Sequence, residues 1–331
     1  MQIDIKAKEV KPVRQTYSHL ARRFGEDRPA TRYQEAVLDI QAVYNFHYRP
    51  TWQPDKELYD PTRTAITMED WYSFLDPRQY YYGTYTMARA KQQASADQNF
   101  KFVEKRGLLD TLPEGARSQI LDLVVPLRHY EWGANMNNYQ ICAMGYGAAI
   151  TSAAALHGGD RLGNAQYITR IALALSGNDP EVVEKGLADW TGAEMWQGLR
   201  KVVEDSLVVE DWFELFVAQN LVMDGFVHPL FFGELEQRLS DSGATTYAML
   251  TEFIVDWFGE SSRWVDSQIA TAISESEENA ALVSGWFDKW YPEVEKAVAP
   301  LARAAFGDGD EVLAAIGGAL KSRAAGTGVT V

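Results

Sequence analysis

The sequence predicts an all-α protein, and three observations support that fold class. From about residue 79 onward, apolar residues recur at the three- and four-residue spacing of amphipathic helices. Turn-forming residues interrupt this pattern at 158–159, 177–180 and 241–243, where helices are expected to end. No segment shows a convincing alternation of polar and apolar residues, which is the pattern of a half-buried strand.

Residues 1–78 differ from the rest of the chain and predict an extended arm with one helix. The arm is rich in Tyr, Trp, Arg and Pro, and ten of the sixteen tyrosines lie at or before Tyr85. Its prolines prevent long helices, so we expect a single helix from Thr31 to about Phe46. The residues that share one face of this helix are Tyr33, Val37, Ile40 and Tyr44. The arm cannot bury its own aromatic residues, so it needs a neighbour, either the body of this chain or another chain.

From residue 79 to the end, the periodicity predicts a series of helices. The predicted helices span residues 79–105, 114–125, 126–157, 159–176, 180–189, 195–225, 229–240, 243–273, 276–303 and 308–323. A long helix, a turn and a second helix occur at about 126–176, and the same order recurs at about 195–273. Two such pairs suit a four-helix bundle with a crossover connection, the ferritin-like plan, although a generic helical array fits the pattern equally well. The expected single domain comprises the arm at 1–78, a helical core at 79–275 and C-terminal helices at 276–331.

The composition limits the classes of function that are open to this chain. The 31 basic and 46 acidic residues give a net charge of −15, which argues against nucleic acid as a partner because phosphate backbones are also negative. The single cysteine, Cys142, excludes a disulfide framework and fits a reducing cytoplasm. The N-terminus has no apolar signal core, and the apolar runs end well short of the roughly 20 residues that a membrane span needs. We expect a soluble, cytoplasmic protein that binds neither nucleic acid nor membrane.

The histidines do not form the metal-binding motif that helical bundles use. Di-iron carboxylate bundles place Glu on two helices and Glu-x-x-His on the other two. The residues three positions before the five histidines are Thr16, Tyr44, Pro126, Ala154 and Gly225, and none of them is acidic. With one cysteine, sulfur-rich zinc and iron–sulfur sites are also excluded. We therefore expect no metal and no cofactor in this chain.

The motifs of covalent and nucleotide-dependent catalysis are also missing from the sequence. The stretch 259–261, Gly-Glu-Ser, starts like a nucleophile elbow, but Arg263 stands where the elbow needs Gly. The stretch 145–147, Gly-Tyr-Gly, lacks the third glycine of a dinucleotide loop. His129, close to Glu131, could act as a general base or could be a hydrogen-bonded core or interface histidine. The lack of a partner nucleophile favours the second interpretation, so we expect no catalytic residue and no independent activity.

The aromatic residues of the arm and of the segment after it are the strongest positive feature. Tyr, Trp and Arg are enriched at stable protein interfaces and supply most of their binding energy. The residues expected to anchor a partner chain are Trp52, Tyr59, Trp71, Tyr72, Tyr80, Tyr81 and Tyr82.

Several stretches, in order along almost the whole chain, resemble one known family. They are Arg14-Gln15-Thr16-Tyr17, Arg22-Arg23-Phe24-Gly25, Phe46-His47-Tyr48-Arg49-Pro50, Asp60-Pro61-Thr62-Arg63-Thr64-Ala65-Ile66, Asp76-Pro77-Arg78-Gln79, Pro126-Leu127-Arg128-His129, Gly133-Ala134-Asn135-Met136-Asn137-Asn138, Val203-Glu204-Asp205-Ser206, Asp211-Trp212-Phe213-Glu214-Leu215 and Gly259-Glu260-Ser261. On these stretches the chain resembles the β subunit of the hydroxylase component of bacterial multicomponent monooxygenases, most closely that of phenol hydroxylase. A β subunit of a toluene or alkene monooxygenase, and a helical adaptor outside oxygenase chemistry, remain alternatives.

The resemblance implies a fold, a set of partners and a reaction. The chain would be a ferritin-like β subunit, related to an α subunit that holds a di-iron centre. It would assemble with α and γ subunits into a dimer of heterotrimers, which a reductase and a small effector protein would join transiently. The complex would use NADH and O₂ to insert one oxygen atom into an aromatic ring, giving a catechol from a phenol.

The resemblance also implies where metal ligands of a related bundle would have stood. If the two subunits descend from one bundle, the segments 159–162 and 261–264 occupy the places of two Glu-x-Arg-His motifs. Gly159 and Ser261 would then replace the glutamates, give or take one position, and Leu162 and Trp264 would replace the histidines. Such side chains avoid the cost of a buried carboxylate cluster without metal.

Two further expectations concern the charged residues of that bundle. Glu131 and Glu214 would be the surviving carboxylates of the two single-Glu helices, although the spacing from Glu214 to Ser261 is longer than expected. Arg161 and Arg263, the arginines retained in the two segments, are expected to make structural ion pairs.

Overall fold

The computed structural model describes residues 17–26, 28–42, 49, 51 and 53–331, and over these residues the chain is helical with no β-strand. The helices in this part of the chain are α1 (Ser18–Phe24), α2 (Arg32–Val37), α3 (Tyr82–Lys105), α4 (Glu114–Leu123), α5 (Leu127–Met144), α6 (Ala148–Leu175), α7 (Glu181–Gly192), α8 (Glu194–Ser206), α9 (Trp212–Asp241), α10 (Thr245–Glu275), α11 (Glu277–Ala305) and α12 (Gly309–Gly326). The predicted all-α class is confirmed.

Four long helices, α5, α6, α9 and α10, form a bundle of two helix pairs that the crossover α7–α8 connects. The 28 residues of α6 and the 31 residues of α10 give lengths of about 42 and 46 Å, at 1.5 Å per residue. α11 packs against α8 and α9, and α12 packs against α11 and α9. One hydrophobic core extends from Ile66 to Val329, so the C-terminal helices complete the same core as the bundle.

The turn of the first helix pair lies at 145–147, and this corrects the predicted break at 158–159. Gly147 has a positive φ of 90°, and a Cβ there would lie 2.8 Å from the carbonyl oxygen of Trp71. Only glycine fits this position, which lies in the turn between the end of α5 at Met144 and the start of α6 at Ala148. The glycines at 158 and 159 lie inside α6, where the ring of Tyr139 packs 3.3 Å from the place of a Cβ at Gly158. They permit close packing rather than a turn.

The second helix pair also begins and breaks at places other than those predicted. Asp211 caps the N-terminus of α9, because its Oδ1 accepts hydrogen bonds from the backbone N–H groups of Phe213 and Glu214. α9 then continues through Pro229, where a helix boundary was predicted. Two π-helical segments, at 217–223 and 230–234, widen its turns. Such bulges accommodate a proline, since its missing N–H and its ring disrupt regular α-helical hydrogen bonds.

Length and composition would allow α9 to cross a membrane, which the interrupted apolar runs of the sequence did not suggest. Its most apolar window has a mean hydropathy of 1.3, but 94 % of that window is buried inside the molecule. Such extensive burial is typical of a helix at the centre of a protein core.

The described part of the arm contains two short helices where one longer helix was predicted. α1 was not predicted, and α2 ends at Val37 rather than near Phe46, because Asp39 adopts a positive φ of 52°. Ile40, predicted to lie on the buried face, is 46 % exposed, and Tyr44 lies outside the described residues. The arm thus turns soon after residue 37 instead of continuing as a helix.

Candidate functional site at the centre of the bundle

A buried ionic cluster lies at the centre of the bundle, and we call it the Arg161 cluster. It consists of Arg161 on α6, Glu131 on α5, and Asp224 and His228 on α9, each at most 2 % exposed. Nη1 of Arg161 lies 3.1 Å from Oε2 of Glu131 and 3.1 Å from Nε2 of His228, and Nη2 donates to Oδ2 of Asp224. Nε2 of His228 is also 3.2 Å from Oε1 of Glu131. One guanidinium therefore joins three of the four bundle helices.

Neutral side chains surround the two carboxylates of the cluster. Oδ1 of Asp224 accepts hydrogen bonds from the Tyr130 hydroxyl at 2.5 Å and from Nε2 of Gln219 at 3.1 Å. Nδ2 of Asn164, on α6, donates to Oε2 of Glu131 at 3.4 Å. Both carboxylates are thus held in place by donors on the same helices that supply the cluster.

The fourth bundle helix, α10, contributes aromatic rings to the centre. The guanidinium carbon of Arg161 lies 4.7 Å from the ring centre of Trp257. The same indole stacks on His157, with ring centroids 5.0 Å apart. Trp264, about two turns further along α10, meets Phe216 edge to face at 5.3 Å. At this level α10 offers apolar surface and no ligating group.

The charged groups of the cluster shift one another's pKa values. Burial by itself would raise the pKa of Glu131, but the Arg161 guanidinium and the contact with His228 outweigh burial and hold that pKa below its ordinary value. Burial would lower the pKa of Arg161, and the Asp224 and Glu131 carboxylates more than compensate, so it is raised. Burial raises the pKa of Tyr130 well above its ordinary value, and the adjacent Asp224 carboxylate raises it further. Glu131 and Arg161 are therefore both charged at neutral pH.

A second set of ions lies beside the cluster, and we call it the Asp160 network. Asp160 accepts hydrogen bonds from Arg89 at 2.7 Å, from the Tyr85 hydroxyl at 2.8 Å and from Nε1 of Trp257 at 3.0 Å. Arg89 also pairs with Glu260 at 2.9 Å. The network ties α3 to α6 and α10, and the Trp257 ring separates it from the Arg161 guanidinium.

The donor set at the bundle centre does not fit a di-iron centre. In residues 17–26, 28–42, 49, 51 and 53–331, no group of three His, Cys, Asp or Glu side chains could hold a metal ion. The three side chains that could ligate, Glu131, Asp224 and His228, all face the guanidinium of Arg161. A guanidinium has no lone pair to offer a metal and repels any cation that approaches.

Comparison with known proteins identifies the family of this chain. The model of the methane/phenol/alkene hydroxylase family matches residues 52–276, which is more than half of the chain. The chain belongs to this family. It is 49 % identical to the oxygenase component DmpL of phenol 2-monooxygenase from Pseudomonas sp. strain CF600, over 93 % of this chain and 92 % of DmpL. It is 27 % identical to the β subunit of the toluene-4-monooxygenase hydroxylase of Ectopseudomonas mendocina, over 87 % of this chain and 89 % of that subunit.

Solved structures agree with this family membership. A crystal structure of phenol hydroxylase from Pseudomonas sp. OX1 contains a chain that is 46 % identical to this one. The two chains superpose with a TM-score of 0.92, over 99 % of each. The predicted resemblance to phenol hydroxylase is therefore confirmed, and the chain is a homologue of an oxygenase component of phenol monooxygenase.

In this hydroxylase-family chain, the predicted ligand positions on α6 lie away from the bundle centre. Gly159 and Leu162 are only half-buried, on the outer side of the helix. The α6 residues that approach Glu131 are Arg161 and Asn164. Arg161 and Asn164 are three positions apart in the sequence, which is the spacing of Glu and His in Glu-x-x-His. They therefore occupy the inward positions that Gly159 and Leu162 were expected to take. The descent of either pair from metal ligands stays a prediction.

The predicted positions on α10 do face inward. Ser261 is 3 % exposed and Trp264 is fully buried, and Oγ of Ser261 lies 3.4 Å from Nδ1 of His157. Arg263 is exposed and has no ion pair within the part of the chain that the structure describes. The expectation of structural ion pairs at both retained arginines is therefore correct for Arg161 and wrong for Arg263.

The two predicted relic carboxylates do not meet. Glu131 belongs to the Arg161 cluster, whereas Glu214, near the start of α9, accepts from Nζ of Lys289 at 2.6 Å and from Nε1 of Trp290 at 2.9 Å. Glu214 therefore ties α9 to α11. The acidic residue of α9 that reaches the bundle centre is Asp224, which sequence reasoning missed because no known motif contains it.

His129 is separated from the polar cluster that its neighbours in sequence suggested. Its ring stacks on Trp190 at 6.2 Å, and it makes no contact with Glu131, which points to the opposite side of α5. Burial, with a smaller contribution from Arg128, lowers the pKa of His129 to about 4. A neutral histidine with no nucleophile beside it supports the interpretation of a packing residue.

Most of the predicted interface aromatics contact the body of this chain. The half-buried members are Tyr59, Trp71, Tyr72, Tyr80 and Tyr81. Trp71, for example, packs against Trp212 of α9, with ring centroids 6.0 Å apart. Tyr82 is 79 % exposed, and Trp52 lies outside the described residues.

An exposed aromatic surface that sequence reasoning missed lies on the first helix pair. Trp132, Met136 and Tyr139 lie four and three residues apart along α5 and are 56 %, 42 % and 44 % exposed. The Tyr139 hydroxyl lies 4.0 Å from the place of a Cβ at Gly159, so the surface continues onto α6. This surface, the α5–α6 outer face, comprises Trp132, Met136, Tyr139, Gly159 and Leu162. The helical spacing could have revealed it.

The α5–α6 outer face carries no charge. From Trp132 to Thr169 the only charged residues are Asp160 and Arg161, and both are buried. In a chain with 23 % charged residues, an exposed aromatic surface without a single charge is typical of a binding surface.

Proposed function

We propose that this chain is a metal-free, β-type structural subunit of the hydroxylase of a phenol monooxygenase. The complex would convert phenols to catechols with NADH and O₂, and the reaction would take place on a catalytic α subunit that holds the di-iron centre. The observation that carries the proposal is the Arg161 guanidinium, which lies at the bundle centre among the side chains that could otherwise bind metal.

The relatives support both parts of this proposal. The names of phenol 2-monooxygenase for one relative and of a hydroxylase β subunit for another point to the reaction and to the type of subunit. The strong similarity to the phenol enzyme favours it over a toluene or alkene monooxygenase, and family membership argues against an adaptor outside oxygenase chemistry.

The partners follow from the same proposal. The chain would join α and γ subunits in a cytoplasmic dimer of heterotrimers, and a reductase and an effector protein would bind transiently. The α5–α6 outer face is the surface that supports docking of the α subunit best. Its aromatic and sulfur-containing side chains, Trp132, Met136 and Tyr139, are of the types that supply binding energy in stable interfaces, and it has no charge to desolvate.

The contribution of this chain to catalysis would be structural. The Arg161 cluster and the Asp160 network hold the bundle helices in a defined arrangement. That rigid arrangement presents the α5–α6 outer face to the catalytic subunit. No side chain of this chain would bind substrate or transfer a proton to it.

Co-expression with candidate α and γ subunits, followed by gel filtration and iron analysis, tests the proposal. We expect one complex that contains all three chains, with iron in the complex and no iron in this chain purified alone. The α subunit purified under the same conditions is the positive control for iron. Stoichiometric iron in the isolated chain would overturn the proposal.

Activity measurements separate a structural subunit from an independent enzyme. We expect no phenol turnover by the isolated chain, and turnover by the assembled complex with its reductase. A His129→Ala variant should leave both assembly and turnover unchanged. Loss of turnover in that variant with intact assembly would favour an active site in this chain instead.

A further inference from the structure

The geometry points to a second protein-binding surface, a groove between α9 and α12 that we call the α9–α12 groove. Its occupant is the apolar face of a helix from a chain other than the one proposed to cover the α5–α6 outer face. This inference rests on the assembly proposed above and adds a second contact surface to it.

The α9–α12 groove is long, mostly apolar and open to solvent. Its volume is about 580 Å³, and its lining includes Gly225, Pro229, Gly233, Phe258, Ala315 and Ala319. The residues of α9 that line it extend from Gly225 to Gln237, which is roughly 18 Å at 1.5 Å per residue, or about three turns of a helix. The lining residues belong to α9, α10 and α12, so the groove is separate from the α5–α6 outer face.

On the α9 side, the groove is open because of a glycine. Pro229, Gly233 and Gln237 lie four residues apart, and the π-helical segment 230–234 widens the turn between them, which keeps the three residues on one side of the helix. Gly233 is exposed, and a Cβ built there would have no heavy atom within 4 Å. A glycine inside a helix is less favourable than alanine. Since packing within the described part of the chain does not require this glycine, its missing side chain suits the close approach of another chain.

On the α12 side, the groove has no charge along most of its length. Residues 312–320 include no charged side chain, although Ala314, Ala315, Gly318 and Ala319 are exposed. A surface helix usually presents charged side chains to solvent. Alanine and glycine offer little area to a single partner side chain, but they allow two helices to pack at the short end of the usual 8–10 Å between axes. The groove therefore fits a helix rather than an isolated side chain.

One carboxylate at an end of the groove indicates the charge of the occupant. Glu234 lines the groove, and its side chain is 47 % exposed. Among the described residues, the one cation within 4.0 Å of it is Arg238, which already pairs with Asp308 at 2.8 Å. Arg323, at the other end, is balanced by Asp266 at 2.8 Å. Glu234 thus lacks a close partner, and a lysine or arginine of the occupant would supply one.

A second copy of this chain fits the α9–α12 groove poorly. In a symmetric dimer the groove would face itself, so two concave surfaces with the same carboxylate would meet. The uncharged lining also suits a subunit that stays bound, because charge complementarity mainly speeds the encounter of partners. The occupant is therefore a helix of a different, stably bound subunit, with an apolar face and a basic residue near one end.

An Ala319→Trp variant, co-expressed with the α and γ subunits proposed above, tests the inference. The indole would fill the groove, so we expect loss of one subunit from the complex in gel filtration and native mass spectrometry. Ala314→Trp, at an exposed alanine of the same helix outside the groove, is the matched control and should retain every subunit. Met136→Glu should release a different subunit. Benzoylphenylalanine in place of Gln237, at the end of the groove, should photo-crosslink to the subunit that Ala319→Trp releases.

Each outcome supports or overturns the inference. Retention of every subunit by Ala319→Trp would overturn it, as would release of the same subunit by Met136→Glu or a photo-crosslink to a second copy of this chain. If Ala319→Trp does not fold, Gly233→Leu replaces it, because a side chain there meets open space. Failure of both variants to fold would show that the chain itself fills the groove, which also overturns the inference. A wild-type chain that recruits no subunit would contradict the proposed function, so the two failures are distinguishable.

Discussion

The inner and outer faces of the α5–α6 pair differ in charge. The inner face carries Glu131, Asp160 and Arg161, which are all buried and paired. The outer face exposes Trp132, Met136 and their neighbours without a charge. Soluble proteins usually show the opposite arrangement, with charges outside and apolar groups inside. The ion pairs of the inner face link α5, α6 and α9, whereas the uncharged outer face has the composition of a binding surface.

The largest expected effect is on the inner face. Arg161→Met should destabilise the chain by about 3–5 kcal/mol, because it leaves two carboxylates buried without their cation. Arg263→Met, which removes an exposed arginine without an ion pair in the described part of the chain, should change stability by less than about 0.5 kcal/mol. The free energies of unfolding in urea measure both. Equal effects of the two substitutions would show that the cluster has no special role.

The second effect concerns the Asp160 network. Asp160→Asn should cost about 1–3 kcal/mol, because it weakens the hydrogen bonds from Arg89 and the Tyr85 hydroxyl but leaves Arg89 paired with Glu260. Asp256→Asn, an exposed carboxylate on the same helix as Glu260, is the matched control. Urea denaturation compares them, and a loss for Asp160→Asn larger than that for Arg161→Met would reverse the ranking of the two ion sets.

The third effect is on the outer face. Met136→Glu should lower the affinity for the proposed α subunit at least about tenfold, or about 1.4 kcal/mol, because it introduces a charge into an uncharged surface. Leu187→Glu, at a residue of nearly equal exposure on the charged helix α7, should leave assembly unchanged. Pull-down from cells that co-express the subunits compares the two. Full assembly of the Met136 variant would place the docking surface elsewhere.

The fourth effect is a dependence of stability on pH. Burial lowers the pKa of His129 to about 4, below the ordinary 6.5, so the unfolded chain binds a proton more readily than the folded chain between these values. The contribution of His129 to stability is therefore complete above pH 6.5 and is lost as the pH falls toward 4. His129→Gln should reduce the slope of unfolding free energy against pH in that window. An unchanged slope would show that His129 does not contribute.

The sequence predicted the helical class and the helix pairs well, but it misplaced their turns. Glycine marks both turns and close helix contacts, so periodicity alone cannot distinguish Gly158, which packs under Tyr139, from Gly147, which has a positive φ. Pro229 predicts a helix boundary, but α9 continues through it because the adjacent π-helical segments, which have no reliable sequence signature, accommodate the proline.

The candidate site was predicted in part. Glu131 and Arg161 were recognised as residues of the bundle, whereas Asp224 and His228 were not connected to them. His228 and Asp224 lie four residues apart on α9, and Asp224 is 63 residues beyond Arg161. Contacts over such separations depend on how two helices are rotated against each other, which a spacing rule for one helix does not contain.

The sequence by itself determined the helical class, the acidic balance and the lack of any Glu-x-x-His motif, since each depends on residue types and their order. Only the tertiary structure decided which side of α6 points inward, and therefore that Arg161 rather than Leu162 lies at the centre. The physical reason is that both sides of α6 are largely uncharged, so hydrophobic patterning specifies no single orientation for it. Packing against α5, α9 and α10 selects the orientation in which the guanidinium meets its two carboxylates.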